Sequence, residues 1–180
     1  MAGEYKLFEI KQSYSRRVFK KVSVAGAITL HHRYLYRGYV QIATIDMTRS
    51  GLNGLWMIFW DPSQPTATRP LAIQIAGTWF TYGLDLTKNV CELYKNNGGI
   101  ATAYTYTPFG QATAVGTTSQ PLSWSSEFTD GELDLVYYNY RHYNPQDGRW
   151  INRDPIGIQG GYNLYGFVGN KVSWIWVYWG

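Results

Sequence analysis

Leu135-Val136-Tyr137-Tyr138-Asn139-Tyr140-Arg141-His142-Tyr143-Asn144-Pro145-Gln146-Asp147-Gly148-Arg149-Trp150-Ile151-Asn152-Arg153-Asp154-Pro155-Ile156-Gly157 runs from an aromatic segment into a series of turns. Aromatic residues up to Tyr143 favour a strand, and Pro145, Gly148, Pro155 and Gly157 cut the remainder into pieces too short for a helix. Gly160-Gly161-Tyr162-Asn163-Leu164-Tyr165-Gly166-Phe167-Val168-Gly169-Asn170 continues in the same manner. Two upstream segments share this composition: Trp79-Phe80-Thr81-Tyr82-Gly83-Leu84-Asp85 with Asn89-Val90, and Ala103-Tyr104-Thr105-Tyr106-Thr107-Pro108-Phe109-Gly110. Each is an aromatic strand leading to a polar or glycine-marked turn. A single unit of this kind cannot hide its aromatic face, so neighbours must stack into a shared core, which favours an extended, spiralling antiparallel sheet.

The rest of the chain reads the same way. Sixteen Tyr, eight Trp, seven Phe and nineteen Gly in 180 residues favour strands joined by turns, and no amphipathic helical period of ten or more residues occurs. Arg17–Val24 is a predicted strand, Ala25-Gly26-Ala27 a turn, and Ile28–Ala43 a long strand with a bulge at Gly38. Leu55–Trp60 is a continuous apolar run closed by Asp61-Pro62, which predicts a strand covered on both faces. The fold class is therefore all-β and antiparallel. Residues 1–78 form a strand-rich region, 79–170 a region with a loop-rich plug, and 171–180 an atypical aromatic tail.

Charge and composition exclude several functions. The net charge is +4, and the short cationic cluster Arg16, Arg17, Lys20 and Lys21 reads as a solvated strand or loop face, so nucleic acid is not an expected partner. Cys91 excludes an internal disulfide and reads as a small buried hydrophobe. His31 and His32 alternate onto opposite faces of a strand and His142 stands alone in its own, so no metal site and no cofactor are expected. Gly157, Gly160 and Gly161 lack the strand-to-helix context of a phosphate loop and serve turns. No run approaches the roughly 20 apolar residues of a membrane span, and Met1–Lys6 lacks the pattern of a secretory signal.

The succession of Arg141-His142-Tyr143, Gly148-Arg149-Trp150, Asp154-Pro155-Ile156-Gly157, Gly160-Gly161, Asn163-Leu164-Tyr165-Gly166-Phe167-Val168 and Asn170 closely resembles the RHS-repeat-associated core domain of RHS/YD-repeat proteins. The resemblance is strong from about Trp79 to Asn170. It implies a β-shell: in long members, repeats wind one sheet into a hollow container whose end the core plugs. In toxin members, among them the C component of Tc insecticidal complexes and polymorphic bacterial toxins, the shell encloses a C-terminal toxin, and the core frees it by an aspartic mechanism. The implied partners are the remaining shell strands or a longer RHS chain, and a toxin cargo. Self-association through open sheet edges is the expectation for a fragment. Members of this group are commonly exported or found at the cell surface.

The resemblance places the first catalytic carboxylate at Asp154, supported by Arg153. Aspartic cleavage needs two carboxylates sharing a proton, and the second would lie beyond Asn170. Residues 171–180 contain neither Asp nor Glu, so self-cleavage is expected to be lost and Asp154 to act as a turn cap before Pro155 or as a partner of Arg153. Arg141, Arg149 and Arg153 are expected to pair with Asp147, Asp154 or other carboxylates. A rival reading is an aromatic-rich carbohydrate or cell-surface binding module, distinguishable by whether the rings are exposed or buried.

Overall fold

The computed structural model describes residues 6–13, 16–48, 53–63 and 69–167. Ten strands form one open antiparallel sheet in which every strand pairs with its sequence neighbours: β1 Lys6–Ser13, β2 Arg16–Val24, β3 Ala27–Arg37, β4 Val40–Asp46, β5 Asn53–Trp60, β6 Pro70–Ile75, β7 Thr78–Leu84, β8 Val90–Lys95, β9 Ile100–Tyr106 and β10 Ala112–Gly116. The meander arises from local turn chemistry. Ala25-Gly26 and Ala76-Gly77 have positive φ at both positions, the two-residue geometry whose twist matches the flanking strands. The Gly38 bulge predicted within one long strand is instead a hairpin turn with φ +60°, which separates β3 from β4. Seven register shifts among the described strands of the sheet, from Lys11/Gln12 to Leu93/Tyr94, add local twist.

A second sheet of four short strands follows, β11 Phe128–Asp130, β12 Leu135–Tyr138, β13 Arg141–Asn144 and β14 Arg149–Trp150, preceded by a 3-10 turn at Trp124–Ser126. It lies against one face of the first sheet. Ile58, Ile73, Phe80, Val90, Leu93 and Ala101 of the first sheet form one buried cluster with Leu122, and Trp124, Val136, Tyr138, Tyr143, Trp150 and Phe167 form another that reaches back to Tyr106. Tyr143 and Phe167 approach to 4.1 Å between ring centroids. The opposite face has no second layer among the described residues. Met57 and Phe59 of β5 are 44% and 51% exposed there while Ile58 between them is buried, so the apolar run is covered on one face and not on both.

The predicted solvated cationic face is also corrected. Arg17 and Lys20 are the least exposed long side chains of β2, at 0% and 1%. The Arg17 guanidinium donates from Nη1 to Asp130 Oδ2 at 2.6 Å and sits 4.2, 4.5 and 4.9 Å from the ring centroids of Tyr34, Phe128 and Tyr137. Its backbone N–H donates to the Tyr137 hydroxyl and its carbonyl accepts from the Tyr36 hydroxyl. Lys20 donates to Asp130 and to Glu132. Two cations of β2 thus meet two carboxylates at the β11 end, and the rings supply π faces to guanidinium N–H groups that lack a hydrogen-bond partner. Burial pushes the Asp130 carboxyl up, but the Lys20 hydrogen bond and the Arg17 and Lys20 charges outweigh it and hold it below the usual range.

Removing one member of this cluster leaves a buried charge without compensation. Asp130→Asn is expected to cost about 3–5 kcal/mol in urea denaturation, while Arg149→Ala, on an exposed side chain, stays within about 0.5 kcal/mol.

Candidate functional site

The segment from Arg141 to Phe167 is folded around two local devices. Gly148 lies at φ +67°, and a Cβ there would stand 2.8 Å from the Phe109 ring, so both backbone and packing select glycine. Tyr143 donates its hydroxyl to the Phe109 carbonyl at 2.8 Å, tying the β9–β10 turn to the second sheet. Farther along, Trp150 N donates to Tyr165 O and Arg149 bridges Gly166, so the chain folds back on β14. Asn163 Oδ1 accepts from Tyr165 N and closes that return.

Asp154 sits where these returns converge. Its N–H donates to Leu164 O at 2.9 Å, and its own carbonyl accepts from Gly157 N at 3.0 Å. Oδ1 accepts from Ile156 N at 3.0 Å, the expected turn cap across Pro155. Oδ2 accepts from Arg141 Nη1 at 2.9 Å. The ion-pair partner is therefore Arg141 of β13, whereas Arg153 is exposed. The Arg141 guanidinium lies over the Trp150 ring, 3.9 Å from its centroid, and so contacts both ring and carboxylate. Asp147 accepts from Asn144 Nδ2 and Arg149 is exposed, so among the described residues the anticipated Asp147 and Arg149 ion pairs are not formed. Asn170 and the tail 171–180 lie outside the described residues.

Reading the sequence missed a second group of polar residues. Asp85 Oδ1 accepts from the N–H groups of Thr87 and Asn89, and Asn89 Oδ1 accepts from Ser125 N, joining the β7–β8 turn to the 3-10 turn. Glu127 follows that turn and lines a small pocket of about 30 Å³ with Gln41, Trp60 and Tyr137. Burial raises its carboxyl to about 7, and the Lys88 charge opposes the rise without cancelling it. His142 and His32, beside the Arg17 cluster, are lowered first by burial, with Arg17 and Lys20 adding to it. The signal was present: Glu127, Asp130, Glu132 and Asp134 form an acidic run whose charge matches the cationic cluster of β2. Cys91 is half-buried, and burial pushes its thiol up, away from nucleophilic use.

No family model matches the chain. Curated relatives do. The double-stranded DNA deaminase toxin A of Burkholderia cenocepacia is 36% identical over 90 residues, covering 47% of this chain and 6% of that protein. Toxin protein Tse5 of Pseudomonas aeruginosa is 38% identical over 55 residues, 31% of this chain and 4% of that protein. Toxin subunit YenC1 of Yersinia entomophaga is 27% identical over 152 residues, 79% of this chain and 15% of that protein. Among solved structures, the Photorhabdus luminescens Tc holotoxin pore superposes with a TM-score of 0.75 at 18% identity, over 97% of this chain and 9% of that one. A TcdB2-TccC3 crystal structure gives 0.70 at 17% identity over 96% and 9%.

The fold shared with these structures is an open antiparallel sheet with a second, smaller sheet docked on it. The probable deoxyribonuclease RhsA of Dickeya dadantii is 39% identical over 54 residues, 30% of this chain and 4% of that protein, and together these likenesses support the resemblance to RHS-associated domains. The chain spans less than a sixth of the length of each of these relatives.

Two measurements check this geometry. Arg141→Gln is expected to lose about 1.5–3 kcal/mol, the range of a hydrogen bond to a charged group, and to open the 154–157 turn to proteolysis, while Arg153→Gln changes neither. For Glu127 the folded-state value is raised above the ordinary 4.5, so the native chain binds the extra proton between 4.5 and about 7. Its contribution is present below that window and lost as pH rises through 7. Glu127→Gln is therefore expected to stabilise the protein by about 1–3 kcal/mol at pH 8 and by little at pH 4.5, read from thermal melts at the two pH values.

Proposed function

We propose that the chain is a structural piece of an RHS β-shell: its ten-stranded sheet supplies wall, and its second sheet plugs one face of that wall. In the complete assembly, the remaining shell strands of a longer RHS chain continue the sheet at an open edge, and the enclosed space holds a toxin cargo. The observation that carries this reading is the second sheet docked through Arg17, Lys20, Asp130 and Glu132, a desolvated joint suited to a permanent internal contact. Burial of Tyr34, Tyr137, Tyr138, Tyr143 and Trp150 supports it over a carbohydrate-binding surface, which would present its rings to solvent.

Asp154 acts here as a clamp. Both of its oxygens accept hydrogen bonds, one from a turn amide and one from Arg141, and it joins the return 154–166 to β13. An aspartic mechanism requires a second carboxylate to share a proton and position water, and residues 171–180, where the resemblance would place it, have none. On this reading Asp154, with both oxygens engaged, holds the turn and does not cut the chain. The test is intact mass of freshly expressed protein beside Asp154→Asn. A single full-length mass in both agrees with the clamp, and cleavage in the parent that disappears in Asp154→Asn overturns it.

A further inference from the structure

Among the described residues, the last strand of the ten-stranded sheet ends that sheet without cover: β10 pairs there with β9 alone, and each of its five residues is exposed, Val115 at 74%. Its backbone directions follow from the ladder. Thr107 N donates to Gln111 O, and Thr117 N donates to Ala101 O. In an antiparallel pair the hydrogen-bonded residues alternate, so Thr113 and Val115 exchange bonds with Thr105 and Ala103. Ala112, Ala114 and Gly116 then turn their N–H and C=O groups outward, away from β9.

Edges of this kind are ordinarily guarded by charge, proline or a covering element. Among the described residues none is present here. Gln111-Ala112-Thr113-Ala114-Val115-Gly116-Thr117-Thr118-Ser119-Gln120 has no charged residue and no proline. The side chains at the edge are also small, so another strand can approach from either face. The same features make the edge self-complementary. Placed antiparallel to itself about Ala114, β10 sets Ala114 against Ala114 of a second copy, Ala112 against Gly116, and Thr113 against Val115. The outward groups of 112, 114 and 116 are then all paired, in about six backbone hydrogen bonds, with no like charges opposed.

We infer that the β10 edge is an interaction surface that takes the β10 strand of a second copy of this chain, joining two ten-stranded sheets across a two-fold axis. This rests on the reading of the chain as an open piece of shell wall, and it names which edge associates and with what. A charged chain is a poor occupant, because recognition is by backbone and small apolar side chains.

Sedimentation of the full chain over a range of concentrations tests it, with three variants. Val115→Lys places a charge on an exposed edge side chain, and Leu86→Lys, at a 92% exposed loop position, is the control. The third is Ala114→Cys in a Cys91→Ser background, where the two-fold brings the new thiols face to face at a Cα separation of about 5.5 Å, within disulfide reach. The expected result is a reversible dimer in the parent and in Leu86→Lys. Val115→Lys should be a monomer with unchanged circular dichroism and melting, and Ala114→Cys a disulfide-linked dimer under mild oxidant. A folded parent that stays monomeric at every concentration overturns the proposal. So does an association that survives Val115→Lys, or a dimer that Ala114→Cys fails to cross-link. These outcomes are separate from the mass test of Asp154: a chain that cleaves itself and still dimerises through β10 would lose the clamp at Asp154 and keep this inference.

Discussion

A guanidinium with no solvent contact, paired to one buried carboxylate and enclosed by three rings, joins the two sheets of this protein. Removing Arg17 and Asp130 from water is costly, and only close pairing, the Tyr34, Phe128 and Tyr137 rings and the adjoining Lys20–Glu132 contact offset that cost. Such a joint is directional in a way that apolar packing is not. Apolar packing such as that of Leu122 in the Ile58, Ile73 and Leu93 cluster tolerates small shifts with modest change in buried area, but Asp130 meets both Arg17 and Lys20 at one position. Much else depends on that position. The Tyr138, Tyr143, Trp150 and Phe167 cluster, and with it the Arg141–Asp154 clamp, is built on strands whose docking the cluster fixes.

The strand order of the first sheet was legible because each hairpin is written locally, in turns such as Ala76-Gly77 and in aromatic alternation along β7 and β9. Asp154 as a turn cap was legible for the same reason, since the Asx turn spans only two residues. What was not legible is non-local. Arg17 and Asp130 are separated by 113 residues, and a cationic pair on a strand looks alike whether it faces water or a carboxylate from another layer. Choosing Arg141 over Arg153 as the partner of Asp154 depends on how β13 pairs with β14, and sequence adjacency pointed the other way. The Leu55–Trp60 run failed differently: continuous hydrophobicity implies two covered faces only when both layers lie in the same chain. Here Met57 and Phe59 face a side that the described residues leave open.

Toxin-named relatives and Tc shell structures fit the architecture and leave the chemistry to the residues. In those residues, the carboxylate that the motif singles out is engaged on both oxygens by a backbone amide and an arginine stacked on tryptophan. That arrangement holds a loop in place.

Hydrogen exchange of the full chain tests the joint most directly. If the buried cluster couples the two sheets, backbone amides in residues 16–24 and 128–138 exchange with matched protection as one cooperative unit. Rapid exchange throughout 128–167 while 16–24 stays protected would contradict it, because the second sheet would then open without disturbing the strand that carries Arg17 and Lys20.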